Sequence, residues 1–217
     1  MPKLSELLQR SVYILKTEGF NPLFSRGVEF ISLKIYKHEY LYLYEQEIMD
    51  WKEADYTPIL PDLRCEIIRG KNEISKALPD YLDTYWMDAD KRLEKGAIAV
   101  CLFAGGELAH ISWLALNDAA KESFDERPYA VEYSKGQACT GGTFTHRKFR
   151  GQKLMTYANY YKFQYLKCIG VASVRHAVKS DNLASQTGYA KFGPRLYARA
   201  RYIRLFGFKY WRETPVA

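Results

Sequence analysis

At 217 residues the chain is long enough for one domain with a full hydrophobic core, but hardly for two independent enzymes. Hydrophobic residues at 47% and charged residues at 26% are ordinary globular proportions, which exclude disordered and collagen-like classes. A net charge of +7 favours phosphate-bearing or otherwise anionic partners, although a solvated basic surface without a specific partner is as common.

Leu4, Leu7, Leu8, Val12 and Leu15 recur at the spacing of an amphipathic helix, and Gly19 stands where such a helix would stop. The first thirty residues lack the continuous apolar core of a secretory signal, so a cytoplasmic location is expected. Residues 28–44 are rich in Ile, Tyr, Phe and Leu, with Tyr40, Tyr42 and Tyr44 alternating, and predict one or two strands packed on the main domain. With Lys34 and Lys37 the same stretch could rest on a membrane surface or an aromatic partner.

Pro58 and Pro61 mark a break, and the more regular domain begins near Leu63. The expected division is therefore an extension over residues 1–60 and one catalytic domain over residues 61–217. A strand over residues 63–68 precedes helical material over residues 73–93, with Pro79 placed to open a second helix and Gly96 to close it. Residues 97–103 and 108–116 form a hairpin around Gly105 and Gly106, which supply the positive φ of a tight turn. Its apolar run, residues 97–104, is far short of the roughly 20 residues a membrane span needs. A charged loop over residues 117–128 leads to a strand region at residues 129–145. From Gly151 the pattern is helical, with Leu154, Ala158, Tyr161, Tyr165 and Cys168 on one buried face. A strand over residues 171–178, a short helix ending at Gly193 and a last strand over residues 196–208 complete the order. Cys65, Cys101, Cys139 and Cys168 form no C-x-x-C pair and lie away from histidines at ligand spacing, which predicts free buried thiols and no metal site.

Two segments carry chemistry. Residues 144–155, F-T-H-R-K-F-R-G-Q-K-L-M, lie between a strand and a strongly periodic helix. A helix N-terminus offers unpaired N–H groups and the positive end of its dipole, and Gly151 permits close approach of an anion. Arg147, Lys148, Arg150 and Lys153 add charge there, so a diphosphate would sit well, though a merely solvated basic loop has the same composition. In N-L-A-S-Q-T-G-Y-A-K-F-G, Asn182 can cap a helix that Gly193 ends, a pairing found also in many proteins that bind nothing.

Together, in this order, the two segments resemble the GNAT superfamily of N-acetyltransferases. Arg150, Gly151, Gln152, Lys153, Leu154 and Met155 occupy the register of the family's Q/R-x-x-G-x-G/A coenzyme loop; Arg150 and Gly151 match, while Lys153 and Met155 stand where glycine or alanine is usual. The later N-x-x-A/S motif, with Tyr at the seventh place and Gly at the eleventh, is met by Asn182, Ser185, Tyr189 and Gly193. The resemblance covers residues 63–208. The hairpin E-L-A-H-I-S-W and the T-x-R-K-F-R-G-x-K-L loop look like acetyltransferases found beside polysaccharide or cell-surface assembly enzymes.

The resemblance implies an α/β fold: a mixed, mostly antiparallel sheet of about six or seven strands flanked by helices, splayed near the fourth and fifth. It implies acetyl-coenzyme A as co-substrate without a metal. Thr143 and Thr145 would bond the pantetheine arm through their backbone, residues 150–155 would hold the pyrophosphate, and Asn182 would touch the arm from the other side. Tyr189 is the candidate acid for the departing thiolate; a phenol titrating near ~10 holds its proton where a thiol of about 8.5 does not. His110 is a candidate base on the third strand, sharing a face with Leu108, Ser112 and Leu114, and Glu132 is its rival near the start of the fourth. His146 belongs to solvent or phosphate. The acceptor would be a primary amine on a small molecule, acidic or sugar-linked being compatible with the charge. No nucleic-acid partner is expected, and the oligomeric state stays open, a homodimer included. Three competitors remain: an aminoacyl or long-chain acyl transferase on the same fold, a non-catalytic acyl-coenzyme A sensor on that fold, and a basic module for nucleic acid or anionic lipid using residues 147–153 and 192–204, where Arg195, Arg199, Arg201 and Arg204 mingle with Tyr197 and Tyr202.

Overall fold

The computed structural model describes residues 35–58, 60–73 and 88–216, with isolated positions at 11, 12, 15, 20 and 21. In chain order these form strand β1 (Tyr36–Glu47), strand β2 (Leu63–Ile68), helix α1 (Ala89–Glu94), strands β3 (Ile98–Ala104) and β4 (Glu107–Ala115), and helix α2 (Asp118–Phe124). Strand β5 (Gln137–Thr145), helix α3 (Leu154–Cys168), strand β6 (Ser173–Lys179), helix α4 (Leu183–Ala190) and strands β7 (Arg195–Leu205) and β8 (Phe208–Pro215) follow. The helix expected at residues 4–16 and most of the helical material at 73–93, Pro79 included, lie outside the described residues.

All described strands join one sheet in the order β2-β3-β4-β5-β6-β1-β7-β8, and only β5 and β6 run parallel. This is the mixed, mostly antiparallel architecture the motifs imply, with eight strands in place of six or seven. One addition comes from the C-terminus. Phe206 and Gly207 turn with φ of 47° and 91°, so the stretch expected as a single last strand folds into the hairpin β7–β8. The other is β1, hydrogen-bonded to β6 along one edge and β7 along the other, with Leu41 and Leu43 buried. The boundary expected near residue 60 therefore does not separate an extension from the domain: β1 is an interior strand.

Helices cover both faces. On one, Leu93 of α1 and Ala120 of α2 pack with Ala99, Cys101, Phe103 and Trp113. On the other, Phe163 and Leu166 of α3 meet Val100, Leu114 and Val174, and Leu154 and Ala158 meet Leu102 and Ala109. Strand β3 is covered on both sides, which is why its sequence is a continuous apolar run instead of an alternation.

Three local expectations change. The charged loop after β4 contains α2, capped by Asn117, whose Oδ1 accepts from Ala120 N at 2.8 Å; an Asn before D-A-A-K-E is a start signal that charge alone obscured. Strand β5 begins only at Gln137, because Tyr133–Lys135 makes a 3-10 turn closed by Gly136 at φ 76°. The buried face of α3 holds Leu154 and Ala158, with Tyr161 and Tyr165 partly buried, as expected, but it is wider than expected: Asn159, Lys162, Phe163 and Leu166 are buried too, whereas Cys168 is exposed. Asn159 and Lys162 look like solvent residues, and hydrogen bonding to each other inside the protein is what admits them to the core.

Candidate active site

Strands β5 and β6 pair only over Gln137 to Cys139 against Ser173 to Arg175. Beyond Cys139, β5 continues to Thr145 with its ladder directed to β4 alone, and β6 continues to Lys179 with its ladder directed to β1. The two therefore part, leaving facing edges of peptide groups that this sheet does not pair.

A bulge in β5 decides what faces the opening. Between Ile111 and Trp113 the register slips, so that Gly142 and Thr143 lie opposite Ser112 alone. Gly142 has φ 56°, and a Cβ there would come within 2.9 Å of Trp113 Cδ1 and 3.2 Å of Arg92 Nη1. Only glycine fits. A Cβ at Gly141 would also meet α2, at Phe124 Cε2, so both glycines take that side of the sheet while Thr140, Thr143 and Thr145 turn to the α3 and α4 side.

Tyr189 of α4 is buried there, its hydroxyl within the influence of the Thr140 and Thr143 side chains. Burial pushes the phenol up to about 12, against the opposing pull of those two hydroxyls. Its ring stacks on His176 of β6, the centroids 3.9 Å apart, and His176 stacks on Tyr44 of β1 at 5.4 Å. Beneath Thr140 lies Lys162 of α3, fully buried, donating to Thr140 Oγ1 at 2.7 Å and Asn159 Oδ1 at 2.8 Å. Thr140 Oγ1 in turn donates to Trp113 O at 3.2 Å. Desolvation lowers the Lys162 amine to about 7. His176 is lowered to about 3, first by burial and then by the Lys162 charge, and neither of its ring nitrogens meets a protein partner.

Sequence patterns missed Lys162, Asn159 and His176. His176 alternates with Val174 and Val178 and could have been read as facing inward; no short-range signal marks Lys162.

His110 lies on the same side of the sheet, buried, with Nδ1 2.8 Å from Thr145 Oγ1. Burial and then Lys162 lower it to about 3. Its expected companion Leu108 belongs to the opposite core, because a second irregularity, at the Leu102/Phe103 junction, puts Ala109 out of the alternation. Glu132 is not brought to this group. It precedes the end of β5 that remains paired to β6, is ion-paired with Lys135 at 2.7 Å, and is held below the ordinary carboxylate range by that hydrogen bond.

The loop after β5 forms a 3-10 turn, Arg147–Phe149, with the Phe149 side chain buried. His146 is in this loop, its Nδ1 accepting from Lys148 N at 3.3 Å. Arg150 Nε donates to Thr145 O at 3.2 Å, which fixes that guanidinium at the approach to α3. Gly151 has φ 80°, and Lys153, in glycine's place in the motif, adopts a glycine-like φ of 61° despite its Cβ. Arg147, Arg150, Gly151 and Lys153 are exposed and Gln152 half-buried, while Lys148 is ion-paired with Glu107 at 2.8 Å. Leu154 points into the core, so it can serve a ligand only through its backbone. Met155 is accommodated by Gly188 of α4, where a Cβ would stand 3.1 Å from Met155 Cε. Asn182 caps α4, Oδ1 accepting from Ser185 N at 3.1 Å. No group of three His, Cys, Asp or Glu side chains suited to a metal occurs among the described residues, and no described helix is long and apolar enough to cross a membrane.

A splayed parallel pair inside an otherwise antiparallel sheet, with a basic loop opening the helix after the splay, is the arrangement of GNAT acetyltransferases. Comparison with solved structures agrees. A provisionally assigned GNAT-family acetyltransferase from Novosphingobium aromaticivorans is 11% identical with a TM-score of 0.50, over 77% of this chain and 63% of that one. A GNAT-family acetyltransferase from Colwellia psychrerythraea is 14% identical over 82% and 60% of the two chains, with a TM-score of 0.48. A conserved protein of unknown function from Staphylococcus epidermidis is 11% identical over 94% and 80%, at 0.49. This chain thus spans under two thirds of the length of both acetyltransferases. No family model and no curated protein matches the sequence. The fold is GNAT-like.

Proposed function

We propose that the protein is an N-acyltransferase that moves an acetyl or related short acyl group from acyl-coenzyme A to a primary amine. The observation that carries this is the position of Tyr189, a buried phenol facing the Thr140 and Thr143 side chains on the strand edge where β5 leaves β6. The surroundings fit the coenzyme. Thr143 and Thr145 lie on a strand edge with peptide groups to offer an extended amide-bearing arm, and Asn182 stands at the head of α4. The first turn of α3 has N–H groups without intrahelical acceptors, next to Arg147, Arg150, Gly151 and Lys153.

The coenzyme supplies an activated thioester whose sulfur leaves as a thiolate. Tyr189 keeps its proton throughout the physiological range and offers it as a hydrogen bond to the departing sulfur. Full transfer from a phenol near 12 to a thiol of about 8.5 is uphill, so stabilisation of the thiolate by that bond is the main contribution. Lys162, behind Thr140, holds the hydroxyl that Tyr189 faces. His110, at about 3, is too weak a base to take the amine proton, and Glu132 lies elsewhere, so the acceptor is proposed to arrive as the neutral amine. An amino sugar, a nucleotide-linked sugar or a small metabolite amine each fits that chemistry.

The deciding experiment is calorimetric titration with acetyl-coenzyme A in moderate salt, followed by a screen of amines for thiol release. Micromolar stoichiometric binding is expected. Tyr189→Phe should then slow turnover about a hundredfold or more while leaving coenzyme affinity nearly intact. A folded protein that ignores acetyl-coenzyme A refutes the proposal, and unchanged turnover in the variant removes Tyr189 from its role.

A further inference from the structure

The β7–β8 hairpin carries a feature that acyl transfer does not use. At its turn, Phe206 holds φ 47° and is 72% exposed, beside Leu205 at 46% and Phe208 at 84%. With Gly207 at φ 91° both central turn positions are left-handed, a conformation that favours Asn or Asp before Gly and disfavours a bulky side chain. The tip is thus unfavourable twice over, in backbone conformation and in apolar exposure, and such costs persist where a surface is used.

Behind the tip the sheet sorts its charges. On the side bearing Arg199, Arg201 and Arg212, the residues at two-residue steps along β1 from Tyr36 to Tyr42, along β7 from Arg199 to Leu205 and along β8 from Phe208 to Thr214 include no carboxylate. The acids lie on the other side. Glu39 bonds Arg127 at 2.8 Å and Lys179 at 2.9 Å there, and Glu126 bonds Arg204 at 2.6 Å. Arg201 lies over the Tyr40 ring at 5.8 Å with Nε 3.0 Å from His38 Nε2, and Arg199 lies over Tyr42 at 5.8 Å, so these cations are held by aromatic rings and imidazole, and no carboxylate among the described residues pairs with them.

We propose that this face docks on a bilayer containing anionic phospholipids, with Phe206, Phe208 and Leu205 entering the headgroup–acyl boundary and Arg201 and Arg212 meeting lipid phosphates. Arg201 is four residues from Leu205, about 13 Å back along the strand at the usual rise, which sets the guanidinium near the outer headgroups when the tip reaches the acyl chains. A lipid surface fits better than nucleic acid because the most exposed rings, Phe206 and Phe208, project beyond the arginines at the tip, while Tyr40 and Tyr42, the rings among the arginines, are already engaged by Arg201 and Arg199.

The test is flotation of the full chain with phosphatidylcholine vesicles and with phosphatidylcholine–phosphatidylglycerol vesicles. Binding to the anionic vesicles alone, weakened by salt, is expected. Phe206→Asn creates the favoured Asn-Gly turn, so it should fold at least as well; combined with Phe208→Ser it should lower vesicle affinity at least about tenfold. Arg201→Gln with Arg212→Gln should remove the preference for anionic lipid. Absence of vesicle binding, equal binding to neutral vesicles, or binding indifferent to these variants overturns the proposal. So does either competing occupant in place of lipid: a homodimer through this hairpin that Phe206→Asn dissociates, or oligonucleotide binding lost with the arginines.

Discussion

His176 provides a measure of how thoroughly the site is closed. Its ring is stacked between Tyr44 and Tyr189 with no protein partner for either nitrogen, so replacing it by Phe keeps the stack and breaks no hydrogen bond. Folding lowers the ring from 6.5 to about 3, by burial first and the Lys162 charge second. Between those values the unfolded chain takes up a proton that the native protein refuses, so the stability involved is present above pH 6.5 and is lost as the pH falls toward 3. At about pH 5 the loss amounts to 1.5 units, or about 2 kcal/mol at 1.36 kcal/mol per unit, while at about pH 7.5 it is negligible. Urea unfolding of wild type and His176→Phe at both pH values should therefore give a stability difference that moves by about 2 kcal/mol in favour of the variant at the lower pH. His110 loses stability in the same window in both proteins and cancels from the comparison. Comparing the two differences also removes any constant cost of fitting the slightly larger ring. A difference that does not change with pH would mean that the imidazole reaches water and the site is open.

Arg150→Glu should weaken acetyl-coenzyme A binding at least about tenfold in calorimetry, since it reverses charge at the head of α3; equal affinity would mean that the loop does not hold the pyrophosphate. Gly142→Ala should destabilise the fold by about 2 kcal/mol or more in chemical denaturation, combining left-handed strain with contacts of 2.9 Å to Trp113 and 3.2 Å to Arg92; a neutral result would show that the bulge relaxes. A chain beginning at Leu41 should lose its cooperative thermal transition, because β7 loses its pairing with Tyr36 to Tyr40, half of its register with β1, although β6 keeps its partners from Leu41 to Glu47; retention of that transition with coenzyme binding would return residues 1–40 to a peripheral role.

Features closed within a few residues were legible before folding was known. Gly105 and Gly106 marked the β3–β4 turn, Asn182 the start of α4, and Arg150 and Gly151 the loop before α3, because turns, caps and left-handed positions are satisfied by neighbours in the chain. Asn182 and Tyr189 were also legible together, as a motif of fixed spacing. Tertiary structure decided the rest. Tyr44 comes to lie against His176, and β1 between β6 and β7, through pairings that span well over a hundred residues, whose hydrogen-bonding demands any exposed strand edge could have met. The bulge at Gly142 decided that Thr140, Thr143 and Thr145 share a side, and the irregularity at Ala109 that His110 parts from Leu108. Each breaks the two-residue alternation on which a strand's inward face is predicted. Lys162 was least legible of all. A lysine on an amphipathic helix is expected in water, and only the hydroxyl of Thr140 and the amide of Asn159, brought to it by folding, make its burial affordable.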